Sequence, residues 1–267
     1  MEQPKKNFKI VSDKKARMLL PNALTLINVC IGLSSIKFAL DEKFGLSVIA
    51  IIFAGIFDAL DGRVARLLKG TSLVGKELDS LADVVSFGVA PAFIMYFWSL
   101  NNMGKFGWLL TMIYVVCVAL RLARFNVSSN LEPSWKGNYF EGVPSPAGGI
   151  LILMPLIFSL SEINLINVNY DIVVPTFFIL ISFLLISKVP TFAFKKIIIP
   201  RSMTIFALFG IVLFFGLLLI YTFKVLVFCG LIYILLIPIG YFNYQKIYKQ
   251  KVLSGESNDN DDPEDIL

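Results

Sequence analysis

Four aspartates lie close together in one short stretch of the chain, between two apolar segments. The stretch DALDGRVARLLKGTSLVGKELDSLAD covers residues 58–83 and contains Asp58, Asp61, Asp79 and Asp83. The first two are three positions apart and the last two are four apart, so each pair lies on one face of an α-helix. If the two helices form an antiparallel hairpin, their acidic faces oppose each other. The spacing therefore predicts one cluster of four carboxylates.

Such a cluster is costly unless something neutralises it. An unpaired aspartate deep in a membrane-spanning helix costs about 2.5–3.5 kcal/mol, and four carboxylates also repel one another. Ligands that are all oxygen favour hard ions such as Mg²⁺, Mn²⁺ or Ca²⁺. The chain contains no histidine, which excludes imidazole as a ligand or a base. We therefore predict two divalent cations, about 3.5–4 Å apart, bound by the four aspartates.

Small residues accompany the aspartates on both helical faces. Gly62 and Ala65 share the first face with Arg66, and Gly75 shares the second. Small side chains allow a bulky ligand to approach the backbone, and arginine can donate two parallel hydrogen bonds to a phosphate group. On pattern alone two other interpretations remain open. The acids could lie in a solvated loop, or they could form the relay of an ion or proton transporter.

The composition indicates the elements that must position these residues. The chain is 57% hydrophobic and 16% charged, with a mean hydropathy of +0.76, whereas soluble domains are nearer half apolar and a quarter charged. Because a helix needs about 20 apolar residues to cross a membrane, we predict an all-α, polytopic membrane helical bundle. About eight transmembrane helices are expected, at approximately residues 20–40, 46–66, 77–100, 106–126, 147–163, 171–187, 202–221 and 223–244.

The distribution of lysine and arginine predicts the orientation of the bundle. If the amino terminus is cytoplasmic, cytoplasmic segments contain 20 of the 24 basic residues, as the positive-inside rule requires. Both termini are then cytoplasmic. We divide the chain into a basic amino-terminal segment that could be an interfacial helix, a core, two additional transmembrane helices and an acidic tail predicted to be disordered. These are residues 1–19, 20–201, 202–245 and 246–267.

The aspartate spacing resembles the signature of the CDP-alcohol phosphatidyltransferase family, D-x2-DG-x2-AR-x8-G-x3-D-x3-D, at all eight fixed positions. The resemblance implies a six-helix core, to which this chain adds two helices. It implies that the first three aspartates bind metal, and that Asp83 helps to hold the second metal and acts as general base. It also implies a set of residues that contact the CDP-lipid: Gly62, Ala65, Arg66, Gly75, Asn22 and Thr25.

Four further stretches resemble the branch of that family that uses serine as the acceptor alcohol. They are LADVVSFGVAPA (81–92), RLARFNV (121–127), GVPSPAGG (142–149) and LLISKVPTFAFKK (184–196). The resemblance implies transfer of a phosphatidyl group from CDP-diacylglycerol to L-serine, with release of CMP. Another acceptor, chiefly glycerol 3-phosphate, is the alternative within the same fold. An ion-coupled transporter is the alternative outside it.

Three polar residues are candidates for binding the acceptor or a phosphate group. Arg121 and Arg124 lie at the end of the fourth predicted helix, where they could bind an anion or simply anchor the helix at the cytoplasmic face. Ser145 precedes the fifth predicted helix, where it could cap the helix or help to bind an anion.

The resemblance also implies partners and a location. Membrane lipids surround the bundle, a homodimer is expected, and no nucleic acid is involved. The bacterial inner membrane, with the active site facing the cytoplasm, fits these features, although an archaeal membrane is also compatible with them.

Overall fold

A computed structural model describes residues 14–68, 70, 72–128, 139–163, 168–187, 189–192 and 203–253. The prediction of an all-α membrane bundle is confirmed for these residues. Most of the basic amino-terminal segment and of the acidic tail lies outside them, but residues 246–253, the start of the tail predicted to be disordered, are helical. The helices are α1 (Lys14–Leu40), α2 (Phe44–Leu67), α3 (Leu73–Asp83), α4 (Ala90–Trp98), α5 (Lys105–Ser128), α6 (Ser145–Ile152), α7 (Met154–Leu160), α8 (Tyr170–Ile186), α9 (Thr204–Ile220) and α10 (Thr222–Leu253).

Five helical segments are long and apolar enough to cross a membrane. They are Leu19–Leu40, Phe44–Leu67, Leu73–Trp98, Lys105–Val127 and Thr222–Gln245. Helices α8 and α9 are apolar but have 17 residues each, a little short of the usual span. The segment predicted at 147–163 is interrupted at Leu153, because Pro155 in the first turn of α7 cannot donate a backbone hydrogen bond. A total of eight crossings therefore stays a prediction.

Two short strands accompany the helices, which the sequence had not indicated. Strand β1 (Tyr139–Glu141) precedes α6, and strand β2 (Pro190–Phe192) follows α8. They pair antiparallel, with Phe140 opposite Thr191. The pairing fixes the two ends of the α6–α8 region to each other, next to α10, which packs on β2.

A π-helical turn, Val84–Val89, joins α3 to α4 directly after Asp83. π turns are rare and occur mostly as single turns near functional sites. Here the carbonyl oxygen of Phe87 accepts a hydrogen bond from the hydroxyl of Tyr114 at 2.9 Å. Both side chains are fully buried. The bond ties α5 to the helix that carries the second pair of aspartates.

Candidate metal centre

Three of the four aspartates converge. Each of Asp58, Asp61 and Asp79 offers a carboxylate oxygen, and the three oxygens lie within 4.8 Å of one another. Two come from the end of α2 and one from α3. The helical period predicted which residues share a face, and the bundle brings the two faces together. The geometry matches the three-aspartate set predicted for the first cation.

Helix α1 is the scaffold on which the carboxylates meet. Both α2 and α3 pack against α1, whereas direct packing between α2 and α3 is minor in the described part of the chain. The carboxylates of the predicted hairpin therefore converge although its two helices have little direct packing with each other. On α1, the buried hydroxyl of Thr25 lies 2.8 Å from Asp61 Oδ2 and donates to it, sharing its proton with the carbonyl oxygen of Pro21. Thr25, expected to contact a nucleotide, thus orients an aspartate.

Asp83 lies beside Asp58 and outside the group of three. Its Oδ2 atom accepts a hydrogen bond from the hydroxyl of Ser145 at 2.7 Å. Its Oδ1 atom is buried and accepts no hydrogen bond from a donor among the described residues, while its carboxyl group lies within hydrogen-bonding range of that of Asp58. A buried carboxylate oxygen without a donor is costly, so this atom is suited to a cation or to a proton that arrives with a substrate.

Ser145 is the first residue of α6, but its hydroxyl does not cap that helix. The interpretation of Ser145 as a simple helix cap is therefore wrong, because its side chain is buried and donates to Asp83 instead. The sequence could not distinguish the two roles, since a serine before a helix is the usual cap.

The glycines of the motif have different surroundings. A Cβ atom added to Gly62 would meet nothing within 4 Å, so the surface of α2 is open at this residue, which follows Asp61 in the sequence. A Cβ atom added to Gly75 would lie 3.0 Å from Asn22 Oδ1, so this glycine allows α3 to approach α1. Ala65 is half-buried, and the exposed side chain of Arg66 donates from Nε to the carbonyl oxygen of Gly62 at 3.1 Å.

The two candidate arginines also differ. Arg121 is only 8% exposed, and its buried Nε atom has no hydrogen-bond partner within the described residues. Its charge interacts with Asp83. Arg124 is exposed and donates from Nη1 to the carbonyl oxygen of Ile186, at the end of α8, at 2.7 Å. Arg124 therefore stabilises a helix terminus, and Arg121 lies at the carboxylates.

Comparison with known proteins adds a family to this geometry. The model of the family described as CDP-alcohol phosphatidyltransferase matches residues 18–187. Three similar curated proteins, all named CDP-diacylglycerol–serine O-phosphatidyltransferase, come from Mycobacterium leprae, Helicobacter pylori and Bacillus subtilis. The identities are 44% over 137 residues, 36% over 179 and 34% over 178. The matches cover 51%, 67% and 66% of this chain, and 45%, 74% and 92% of the relatives. The chain thus spans about half the length of the mycobacterial relatives that it matches.

Proposed function

Because the chain belongs to the CDP-alcohol phosphatidyltransferase family, we propose that it transfers the phosphatidyl group of CDP-diacylglycerol to the hydroxyl of L-serine and releases CMP. One observation supports this most directly. A cluster of carboxylates, with a buried and unpartnered oxygen on Asp83, lies next to the buried guanidinium of Arg121. This arrangement suits metal, phosphate and an anionic acceptor. The names of the similar proteins favour serine as that acceptor.

Two divalent cations, Mg²⁺ or Mn²⁺, fit the carboxylates, and Ca²⁺ is also a possible ion for them. The family generally uses a divalent metal, and the ligands are hard oxygens that suit these ions. Asp58, Asp61 and Asp79 would hold the first ion, and Asp58, Asp79 and Asp83 the second. When bound, the cations supply positive charge that neutralises the pyrophosphate of the CDP-lipid.

Asp83 acts as the general base. Ser145 holds one carboxylate oxygen at 2.7 Å, which leaves Oδ1 to accept the proton of the serine hydroxyl. The serine oxygen then attacks the phosphorus that carries the lipid. A new P–O bond forms while the bond from that phosphorus to the CMP oxygen breaks, and CMP leaves with the electron pair. Without histidine, a carboxylate in the site is the available base.

The CDP-lipid lies on the open side of the cluster. The free space at Gly62 and the exposed Arg66 are placed to receive its phosphates. The nearby residues of the same set are Ala65, Gly75, Asn22 and Thr25. Of these, Thr25 acts through Asp61, and Gly75 acts by admitting Asn22 close to α3.

The acceptor lies on the opposite side, between Asp83 and Arg121. Arg121 is the group that receives the serine carboxylate, since its buried Nε donor has no hydrogen-bond partner among the described residues and requires an acceptor. Ser145 contributes by orienting Asp83. Arg124 is expected to contribute little, because its guanidinium already binds the end of α8.

The proposed setting is the bacterial inner membrane, with eight spans, both termini in the cytoplasm and the site open to the cytoplasm. The distribution of basic residues supports this orientation. Lipid tails enter laterally between helices. The boundaries proposed for the core, the two added helices and the tail remain 20–201, 202–245 and 246–267, and a homodimer is part of the proposal.

An acceptor screen tests the proposal. Purified protein in detergent with CDP-diacylglycerol and Mg²⁺ or Mn²⁺ is given radiolabelled L-serine or radiolabelled glycerol 3-phosphate. We expect labelled phospholipid and equimolar CMP with serine only. Labelled phospholipid with glycerol 3-phosphate, and none with serine, would show that glycerol 3-phosphate is the acceptor. The absence of CMP release with every acceptor alcohol would exclude the enzyme and leave the transporter interpretation.

A further inference from the structure

A tyrosine outside the family-matched region interacts with one of the two candidate arginines. Tyr233 lies on α10, whereas the family model ends at residue 187. Its side chain is half-buried and its hydroxyl is fully buried, without a hydrogen-bond partner among the described residues. Arg121 interacts electrostatically with this tyrosine as well as with Asp83. The phenol and the guanidinium Nε atom are therefore two buried donors, neither hydrogen-bonded within the described residues, on side chains that interact with each other.

The position of Tyr233 is fixed by packing on both sides. Three residues earlier, Gly230 allows α10 to lie against α7, because a Cβ atom there would overlap the sulfur of Met154. On the other side α10 packs on β2. The hydroxyl of Thr191 in β2 is close to that of Tyr233, but it donates to the carbonyl oxygen of Gly142 at 2.8 Å. The phenol is thus held beside the Thr191 oxygen, a neutral acceptor, but does not form a hydrogen bond of normal geometry with it.

We propose that α10 completes the acceptor site, and that the hydroxyl of Tyr233 donates a hydrogen bond to the carboxylate of the acceptor amino acid. This inference rests on the proposed function and adds to it a specificity-determining residue from one of the two added helices. Arg121 and Tyr233 each present a donor, and a carboxylate has two oxygens to accept them. An acceptor held this way has its hydroxyl available to Asp83, which interacts with the same arginine.

A buried donor that finds a charged acceptor only in the ligand is a means of discrimination. A site built to bond a particular group rejects analogues that lack it, because the buried donors are then left unpaired. For this reason we expect Tyr233 on α10 to affect the affinity for the acceptor but not the rate of the chemical step or the affinity for the CDP-lipid.

The variant Tyr233→Phe tests the inference, since it removes the hydroxyl and keeps the ring. A hydrogen bond to a charged group contributes about 1.5–3 kcal/mol, so the KM for serine should rise at least about 10-fold. The kcat at saturating serine and the KM for CDP-diacylglycerol should stay at the wild-type values. The matched control is Tyr241→Phe on the same helix. The Tyr241 side chain is 39% exposed and its hydroxyl accepts from Gln245, so this variant should retain the wild-type KM for serine.

Three other outcomes would each overturn the inference. A KM for serine within about 2-fold of wild type is smaller than the loss of any hydrogen bond to a charge, and would assign Tyr233 to helix packing. A rise confined to the KM for CDP-diacylglycerol would assign the tyrosine to the lipid phosphate. Equal losses in Tyr233→Phe and Tyr241→Phe would indicate a general disturbance of α10. The wild-type protein in the same assay tests the proposed function separately: without serine-dependent CMP release, the function itself fails.

Discussion

Replacing Asp83 by asparagine separates proton transfer from the other roles of the centre. The change is nearly isosteric. In the native site, Oδ2 accepts from Ser145 at 2.7 Å and Oδ1 has no hydrogen-bond partner among the described residues. An asparagine can present its amide oxygen to Ser145 and so keep its place, while its NH₂ group occupies the position of Oδ1. That group cannot accept a proton from a substrate hydroxyl.

The expected loss follows from the chemistry that disappears. A positioned general base contributes about 10²–10⁴-fold to a rate, which corresponds to about 2.7–5.4 kcal/mol in the activation free energy. Asp83 is also a proposed ligand of the second cation, so the loss in kcat should lie toward the upper end of this range. The KM for CDP-diacylglycerol should change little, because Asp58, Asp61 and Asp79 still form their cluster.

The assay is CMP release by the purified Asp83→Asn variant, with saturating serine and CDP-diacylglycerol. The control is Asp171→Asn, which alters an exposed aspartate in the first turn of α8, outside the carboxylate cluster, and should leave turnover unchanged. If Asp83→Asn releases CMP at a rate within about 10-fold of wild type, the loss is too small for a general base. The assignment of that role to Asp83 would then be refuted.

Three further predictions concern the groups around this residue. Chelation by EDTA should abolish CMP release, and added Mg²⁺ or Mn²⁺ should restore it, because the negative charge of the carboxylate cluster must be neutralised. Full turnover of metal-free protein would contradict the two-cation site. Ser145→Ala should lower kcat about 10-fold, because it removes a hydrogen bond to a charged carboxylate that contributes at least about 1.5 kcal/mol. Ser145→Thr keeps a hydroxyl and should recover part of the lost kcat. Equal kcat values for the wild type and the alanine variant would show that Asp83 does not need this hydrogen bond. Arg121→Lys should raise the KM for serine about 10-fold, because it loses the fixed geometry of the guanidinium, whereas Arg124→Lys should not change this KM. A larger rise in the Arg124 variant than in the Arg121 variant would show that the wrong arginine has been assigned.

The local features of the centre could be predicted from the sequence because the helical period is a local property. Spacings of three and four residues place Asp58 with Asp61 and Asp79 with Asp83 whatever the rest of the chain does. The long apolar segments require helices because a bilayer offers no partner for backbone N–H and C=O groups. The all-α bundle is confirmed on this basis, and three of the four predicted carboxylates, those of Asp58, Asp61 and Asp79, converge.

The partners of those residues could not be predicted in the same way. Ser145 resembles a helix cap in the sequence, and only the packing of α6 against the π-helical turn after α3 places its hydroxyl on Asp83. Nothing in the sequence around Thr25 indicates its hydrogen bond to Asp61, which is 36 positions away. The strand pair that lies beside α10 was missed as well, because each strand has only three residues and so shows no alternating pattern.

The sequence by itself determined which side chains share a helical face, and the tertiary structure decided which of them meet. Arg121 and Arg124 show the reason. Positions three apart on a helix differ by only about 60° in direction and about 4.5 Å along the axis, so the sequence treats the two arginines as equivalent. The packing of α5 buries one beside Asp83 and leaves the other at the end of α8. Tyr233 comes to the same place from far along the chain, because contacts between helices depend on how the whole bundle packs and not on the residues adjacent in sequence.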